Sequence, residues 1–348
     1  MKNRVTLKQV AQEAGVHLST ASLAMRSDPR LRPETRQRVQ DIAKRMGYAP
    51  DAMMSALAAY RSSTRPTHCH GELAYLTDYP SNEKHPSMQA FQDFAQKRAA
   101  DLGYTLVEFP VENRAITPRR LMGIWKQRSI RGILIGPWSE SGTLTGFDWT
   151  DFVVVAYGHS TVIPGVNRSS SDQFENMLWH LNALRSCGYR RIGLHLHHMT
   201  NIRSGRKYLA AYLCDQYNHP QKTAPKILHE VAPTPSQLRQ WIDSNRLDCV
   251  ISHIEYLPVL RELGYRIPDE LGFSLISKSS ASSPSMPEVA GLDERADLLA
   301  ASAIDFLVSL IHQDYRGLHQ NPRNYSLLCD YHFGDTVRRP TTTTIKEF

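Results

Sequence analysis

Three helical stretches and one tight turn occupy the first 48 residues, and their spacing constrains the fold more than any other feature. The apolar residues of 6–16 recur at helical spacing, so this stretch has one apolar side. Gly15 supplies a turn, because glycine adopts a positive φ at little cost. Small residues in 17–25 allow close packing of a second helix, and a third follows over 33–48. The pattern is typical of a helix-turn-helix, whose second helix enters the DNA major groove.

Four segments of distinctive sequence follow one another in this region: TLKQVAQEAGV, STAS, PETR and RMGYAP. Together they resemble the head-piece of the lac repressor (LacI) family of bacterial transcription regulators, almost position by position. The resemblance continues more weakly to about residue 335. It implies a dimeric, sequence-specific DNA-binding regulator, usually a repressor, which a small molecule controls.

The charge distribution favours the same interpretation independently. Residues 1–65 hold 12 Lys and Arg against 5 Asp and Glu, an excess equal to the formal net charge of +7 for all 348 residues. The remaining residues hold equal numbers of basic and acidic side chains. A basic segment on a neutral body is typical of a phosphate-binding module.

Composition indicates the broad class of protein and its expected compartment. The hydrophobic content of 41% and charged content of 22% are ordinary for a globular protein. No apolar run is long enough for a membrane span, and no apolar secretion segment is seen, so we expect a cytoplasmic protein without a membrane partner. The five cysteines are scattered and odd in number, which favours reduced thiols.

After residue 70, apolar strand-like runs alternate with helical stretches in two successive series. The second series includes a helical stretch over 202–217 and a strand-like run over 226–231. This alternation predicts an α/β core of two doubly wound parallel-sheet subdomains. The family resemblance implies a periplasmic-binding-protein-like core, with chain crossings near residues 160, 286 and 320, and a return of the helix 294–311 to the first subdomain. The expected organisation is a helix-turn-helix head-piece (1–49), a hinge helix (50–60), a linker (61–70) and an effector-binding and dimerisation core (71–340). The expected subdomains are 71–160 with 287–319, and 161–286 with 320–335. The tail from Val337 is expected to fray.

The resemblance also assigns candidate DNA contacts. Leu18, Ser19 and Leu23 match base-reading positions of the second helix, although Leu23 replaces a residue that is usually polar or basic. Leucine can contact only thymine methyls or sugar edges, and packing of Leu18 and Leu23 inside the head-piece is an equal alternative. Leu57 matches a leucine that wedges into the minor groove. Positions matching phosphate or groove-edge contacts are Thr6, His17, Thr20, Ser22 and Arg26.

Ligands of such cores bind beyond the carboxyl ends of the strands. Candidate effector-binding residues there are Tyr79, Trp138, Tyr157, His197, Tyr208 and Ser277, with His198 beside them. Aromatic faces suit sugar rings and nucleobases, which favours a small polar effector such as a saccharide. Several polar positions of the family are substituted, since Ala156 and Ser277 replace Asp, Tyr208 replaces Arg and Ile254 replaces Asn. An effector-independent regulator with a degenerate cleft therefore remains an alternative.

An enzyme with a DNA-binding appendage is a weaker alternative. The nucleotide-binding and nucleophile motifs GxGxxG, GxxxxGK[ST] and GxSxG do not occur, and no catalytic residues or cofactor are expected. His195, His197 and His198 invite a metal interpretation. Because no Asp, Glu or Cys stands nearby at matching spacing, a structural or cleft-lining role is favoured over a metal site.

Overall fold

The computed structural model describes residues 5–25, 31–46, 48, 71–79, 86–111, 116–138, 144–278 and 288–340. The chain divides into two units, residues 1–68 and residues 69–348. The first unit contains the three helices expected from the sequence, and the hinge helix and linker lie outside the described residues. These helices are α1 (Leu7–Glu13), α2 (Leu18–Met25) and α3 (Pro33–Arg45).

The second unit begins with a six-stranded parallel sheet in the order β10-β5-β4-β3-β1-β2. Its strands are β1 (Gly71–Thr77), β2 (Tyr104–Pro110), β3 (Gly132–Ile135), β4 (Val153–Tyr157), β5 (Asn167–Ser171) and β10 (Asn324–Leu327). Its helices are α4 (Pro86–Asp101), α5 (Pro118–Gln127) and α11 (Ala296–His312).

Both faces of this sheet are buried, as the uninterrupted apolar strands predict. Alternate residues of β1 separate cleanly, since Leu73 and Tyr75 join one core and Ala74 and Leu76 join the other. The first core includes residues of α4 and α11, and the second includes residues of α5. The last long helix, α11, therefore packs on the first sheet.

A second sheet has the order β11-β9-β8-β7-β6 and is parallel except for β11, which pairs antiparallel with β9. Its strands are β6 (Ile192–Leu194), β7 (Cys249–Ser252), β8 (Gly272–Lys278), β9 (Gly291–Asp293) and β11 (Asp330–His332). Its helices are α6 (Gln173–Ser186), α7 (His198–Arg203), α8 (Lys207–Asn218), α9 (Pro235–Asn245) and α10 (Tyr256–Glu262). The two-subdomain α/β architecture is thus as expected.

The subdomain boundaries differ from the expected ones. The strand β5 pairs with β4 in the first sheet, so the first crossing lies near residue 172 rather than 160. The strand β9 belongs to the second sheet, which moves the second crossing from 286 to about 294, and β10 moves the third from 320 to about 328. The sequence NRSSS of β5 has no apolar pattern, and β9 has only three residues, so neither was recognisable as a strand.

Two further expectations were wrong in detail. The helical stretch 202–217 is broken at Gly205 and Arg206, both at positive φ, which separates α7 from α8. The strand expected over 226–231 is reduced to one bridge between Leu228 and His195. The break at Gly205 matters for the cleft, because it turns the start of α8 towards His159, as described below.

The expected frayed tail is ordered over its first four residues. Val337 is buried in the core of the second sheet. The Arg338 amide donates to the Tyr189 hydroxyl at 3.0 Å, and its guanidinium lies over the Tyr189 ring. Residues 341–348 lie outside the described part. Among the described helices, none is long and apolar enough to cross a membrane.

Candidate functional site

The first helix of the N-terminal unit begins with a reciprocal cap. The Gln9 amide donates to Thr6 Oγ1 at 3.4 Å, while the amide of Thr6 donates to Gln9 Oε1 at 2.8 Å. The Thr6 hydroxyl also donates to Gln9 Oε1 at 3.0 Å. Such a capping box satisfies amides that a helix start leaves unpaired. Thr6, a candidate phosphate contact, therefore has a structural role in α1 as well.

The turn between α1 and α2 depends on Gly15, whose φ is +60°. The Val16 amide closes the turn by donating to the Ala11 carbonyl at 3.0 Å. Alanines fill the core of the unit beside two valines, and their small size allows the helices to approach closely. The Gln40 side-chain amide donates to the Ala24 carbonyl at 2.9 Å, which ties α3 to the end of α2.

The candidate DNA contacts are only partly described. His17 is exposed, and Thr20 and Leu23 are half-buried. Leu23 is not among the described residues that form or contact the alanine-rich core, which favours the outward orientation over internal packing. Leu18, Ser19 and Ser22 belong to α2, but their side chains lie outside the description, as do Arg26 and Leu57.

In the core unit, three of the candidate effector residues lie near one half-buried carboxyl group, that of Glu294. The Tyr208 hydroxyl donates to Glu294 Oε1 at 3.4 Å, and Ser277 also hydrogen-bonds this carboxyl. Burial raises the pKa of Glu294, although Ser277, Tyr208 and Arg203 act in the opposite direction. Burial and then Glu294 raise the pKa of Tyr157 well above its usual value. Tyr157, at the end of β4, therefore lies near enough to Glu294 to be affected by its charge, while its ring packs on Phe91 with the centroids 4.0 Å apart.

Tyr79 joins this cluster through α7. Its phenol hydrogen-bonds Arg203, and burial raises its pKa. Arg203 also acts electrostatically on Tyr157 and Glu294. Because Tyr79 follows β1 and Arg203 ends α7, the interaction connects the two subdomains.

A second contact between the subdomains lies at the loop after β4. The Lys207 ammonium donates to His159 Nε2 at 3.1 Å. The Gly205 turn packs so closely that an added Cβ would lie 3.3 Å from the His159 ring. Burial, Lys207 and Arg168 lower the pKa of His159 to about 4. The imidazole is thus neutral at neutral pH, and its Nε2 can accept a hydrogen bond from the Lys207 ammonium.

Trp138 and His197 do not share a described hydrogen bond with this cluster. Trp138 is half-buried against the first-sheet core, and its amide donates to Ser160 Oγ at 2.9 Å. His197 caps α7, because its Nδ1 accepts the Met199 amide at 3.1 Å. His198 is exposed at the first turn of α7. Their role as effector contacts stays a prediction.

The structural interpretation of His195 agrees with its contacts. Its Nδ1 lies 2.8 Å from Ser252 Oγ and its Nε2 lies 3.0 Å from the Glu230 carbonyl, so both ring nitrogens are occupied. The ring is fully buried. Across the described ranges, no group of three or more His, Cys, Asp or Glu is arranged to hold a metal ion.

Several buried polar atoms at the strand ends have no hydrogen-bond partner. They lie on the segments that follow β4, β5, β6 and β7, the edge at which ligands of such folds bind. These atoms are Thr161 Oγ1, Gln173 Oε1, Asn201 Oδ1 and His253 Nε2. Because unsatisfied buried polar groups are costly, they suit a cleft whose ligand supplies the missing partners.

Four cleft residues were not anticipated from the sequence: His159, Arg203, Lys207 and Glu294. Arg203 and Lys207 fell within a stretch interpreted as one continuous helix, where basic residues are ordinary surface groups. Glu294 fell within the expected helix 294–311, because the short strand before it was missed. The glycine that follows a serine in RSGRK was the one available signal of a helix break.

Comparison with known proteins yields one family and a consistent fold. Residues 6–51 match the family described as "Bacterial regulatory proteins, lacI family". The catabolite control protein A of Staphylococcus epidermidis is 38% identical over 60 residues, which are 17% of this chain and 18% of that protein. The match to this relative therefore spans less than a fifth of its length.

Two solved structures share the fold over nearly the whole chain. The transcriptional regulator CelR in complex with cellobiose has a TM-score of 0.57 at 17% identity, over 96% of this chain and 100% of that chain. The lac repressor dimer bound to operator and the anti-inducer ONPF has a TM-score of 0.55 at 17% identity, over 96% and 99%. Residues 6–51 therefore match the LacI family, and the core shares its fold with these two solved structures.

Proposed function

We propose that the protein is a sequence-specific DNA-binding transcription regulator that acts as a homodimer, usually to repress. The observation that carries this proposal is the family match over 6–51 together with the closed turn at Gly15 and the packed three-helix unit. In this proposal α2 enters the major groove, with Leu18, Ser19 and Leu23 towards the bases. Thr6, His17, Thr20, Ser22 and Arg26 contact phosphates and groove edges, and Leu57 wedges into the minor groove.

The core binds a small polar effector between its subdomains. Tyr79, Tyr157, Tyr208 and Ser277 supply aromatic faces and hydroxyls around the Glu294 carboxyl, and Trp138 and His197 extend the site along neighbouring strand ends. A saccharide fits this chemistry, because its C–H faces pack on aromatic rings while its hydroxyls satisfy polar partners. The unpartnered atoms Gln173 Oε1 and Asn201 Oδ1 support a ligand of this kind.

An effector-independent regulator is the second candidate, and one observation favours it. Lys207 with His159 and Arg203 with Tyr79 already join the subdomains through the protein's own side chains. A cleft held closed in this way would leave DNA binding to dimerisation alone. A ligand can alter DNA affinity only through different affinities for the open and closed states.

Genome-wide mapping of bound DNA, followed by titration of the purified full chain, tests the proposal. We expect one near-palindromic motif near genes whose products indicate the effector class. Thr20→Ala should weaken binding to this motif, whereas Thr223→Ala, an exposed threonine of the core, should not. The absence of an enriched motif would contradict the regulator. Unchanged DNA binding across ligands indicated by the regulated genes would favour the effector-independent candidate.

A further inference from the structure

Two half-buried cations beside His159 have no carboxylate partner among the residues that the structure describes. The Lys207 ammonium donates to the neutral His159 imidazole, and Arg168 donates to the carbonyls of Gly158 and Thr161 at 2.8 and 2.7 Å. Within the described residues, neither cation forms an ion pair. We call Arg168, Lys207 and His159 the cationic corner of the cleft.

The positive charge of this corner is not cancelled locally. Lys207 and Arg168 both lower the pKa of His159, while Asp172 alone acts in the opposite direction. The Asp172 carboxylate caps α6, where it accepts the Glu175 amide at 3.4 Å. Partial burial lowers the pKa of Arg168, which reports the cost of holding its charge there.

The corner also has unused hydrogen-bond donors. An ammonium has three N–H donors and a guanidinium has five. The contacts described above use one donor of Lys207 and two of Arg168. Thr161, whose carbonyl binds Arg168, has a buried hydroxyl without a partner. Buried charges are normally paired, and charge-assisted hydrogen bonds to an anion are the strongest available here.

We infer that the effector carries an anionic group, a phosphate ester or a carboxylate, which binds Lys207 and Arg168 beside His159. This inference rests on the proposed effector cleft and specifies its ligand class as a phosphorylated or acidic saccharide. The hydroxyls of the sugar then face the Glu294 carboxyl, which lies with Tyr208 and Ser277 in the same cleft. The anion provides the counter-charge that no described carboxylate gives to Lys207 and Arg168.

Isothermal titration calorimetry of the full chain tests the inference with inorganic phosphate, glucose 6-phosphate, glucuronate and glucose at constant ionic strength. We expect anionic probes to bind at least about tenfold more tightly than glucose, because only they satisfy the cationic corner. Lys207→Gln should abolish this preference, and Lys207→Arg should retain most of it. Lys222→Gln, an exposed lysine of the same subdomain, is the matched control and should behave as the wild type. The stronger of glucose 6-phosphate and glucuronate identifies the anionic group.

Equal binding of glucose and the anionic probes, or an unchanged preference in Lys207→Gln, would overturn the inference. Absence of binding by inorganic phosphate and both acidic sugars up to about 10 mM would also overturn it. Circular dichroism establishes that each variant is folded. DNA binding of the same wild-type preparation separates the two proposals: intact DNA binding without an anion preference rejects only the ligand class, whereas absent DNA binding rejects the regulator.

Discussion

At the scale of single residues, Gly15 and Gly123 form a matched pair that tests the turn geometry. An added Cβ would meet nothing within 4 Å at either position. Gly15 has a φ of +60°, whereas Gly123 lies inside α5 without a positive φ. We expect Gly15→Ala to destabilise the N-terminal unit by about 1 kcal/mol, because left-handed backbone strains an L-residue. Gly123→Ala should stabilise α5 by up to about 1 kcal/mol.

Thermal unfolding followed by circular dichroism, with hydrogen exchange of α1 and α2, measures both effects. Destabilisation by both variants would show that steric crowding rather than φ determines the outcome. Stabilisation by Gly15→Ala would contradict the turn at this position.

One buried and two half-buried histidines predict a loss of stability in mild acid. Burial lowers the pKa of His159 and His253 to about 4 and that of His180 to about 3, all from 6.5. A group with a lowered folded-state pKa contributes stability that is complete above the unfolded value and is lost as pH falls towards the folded value. The free energy of unfolding should therefore decrease between pH 6.5 and 4, by about 1.4 kcal/mol per pH unit for each such histidine.

Urea unfolding at pH 7, 6 and 5 checks this dependence. His180→Gln keeps a hydrogen-bonding group near Ser274 Oγ, which lies 2.7 Å from His180 Nε2, but removes the titration. This variant should show a shallower pH slope than the wild type. The exposed His229→Gln is the control and should keep the wild-type slope. Identical slopes in all three proteins would exclude His180 as a source of acid sensitivity.

Position along the strands made some cleft residues predictable. Tyr157 ends an uninterrupted apolar run, and Tyr79 follows another, so both could be placed at the ligand edge. Glu294 and Lys207 could not be placed there, because their locations depend on a three-residue strand and a helix break. Local pattern does not encode which side chains from distant segments meet.

At the scale of elements, a buried ion pair joins α6 to α8. Arg185 Nη1 lies 2.6 Å from Asp215 Oδ1, and the Asp215 side chain is only 6% exposed. Asp215→Asn should lower the free energy of unfolding by about 2–3 kcal/mol, because the half-buried guanidinium loses its counter-charge. Asp305→Asn removes a comparable pair between α4 and α11 whose side chains are 35% and 46% exposed. This control should cost less than about 1 kcal/mol.

Urea unfolding of the two variants gives the comparison directly. Equal losses of unfolding free energy in the two variants would mean that burial does not determine how much each ion pair contributes to stability.

Strands with continuous apolar runs were predictable, and polar strands were not. Strand β5 is largely buried although its sequence is the polar NRSSS. Its Asn167 Oδ1 accepts a hydrogen bond at 2.9 Å from the backbone amide of Arg323, the residue that precedes β10. This hydrogen bond, to a residue 156 positions away in the chain, compensates for burying the Asn167 side chain. This long-range compensation explains why the subdomain boundaries were displaced by about ten residues.

At the scale of the whole molecule, the excess positive charge lies in the N-terminal segment, and the rest of the chain forms the α/β core. Residues 1–65 carry an excess equal to the entire net charge of +7, and the longer second unit has the two-sheet core. This division suits a regulator in which a short basic unit contacts DNA and a neutral core responds to a ligand. The LacI-family match over residues 6–51 and the shared core fold agree with that division.

Fluorescence anisotropy of the full chain on its mapped DNA site is the most direct test. A dimer that reads a near-palindrome should lose affinity when either half-site is scrambled. Its affinity should fall by about 10³-fold or more between 50 and 200 mM salt, because phosphate contacts by Lys and Arg release counter-ions. Equal affinity for the intact and half-scrambled sites, with a shallow salt dependence, would contradict a dimeric DNA-binding regulator.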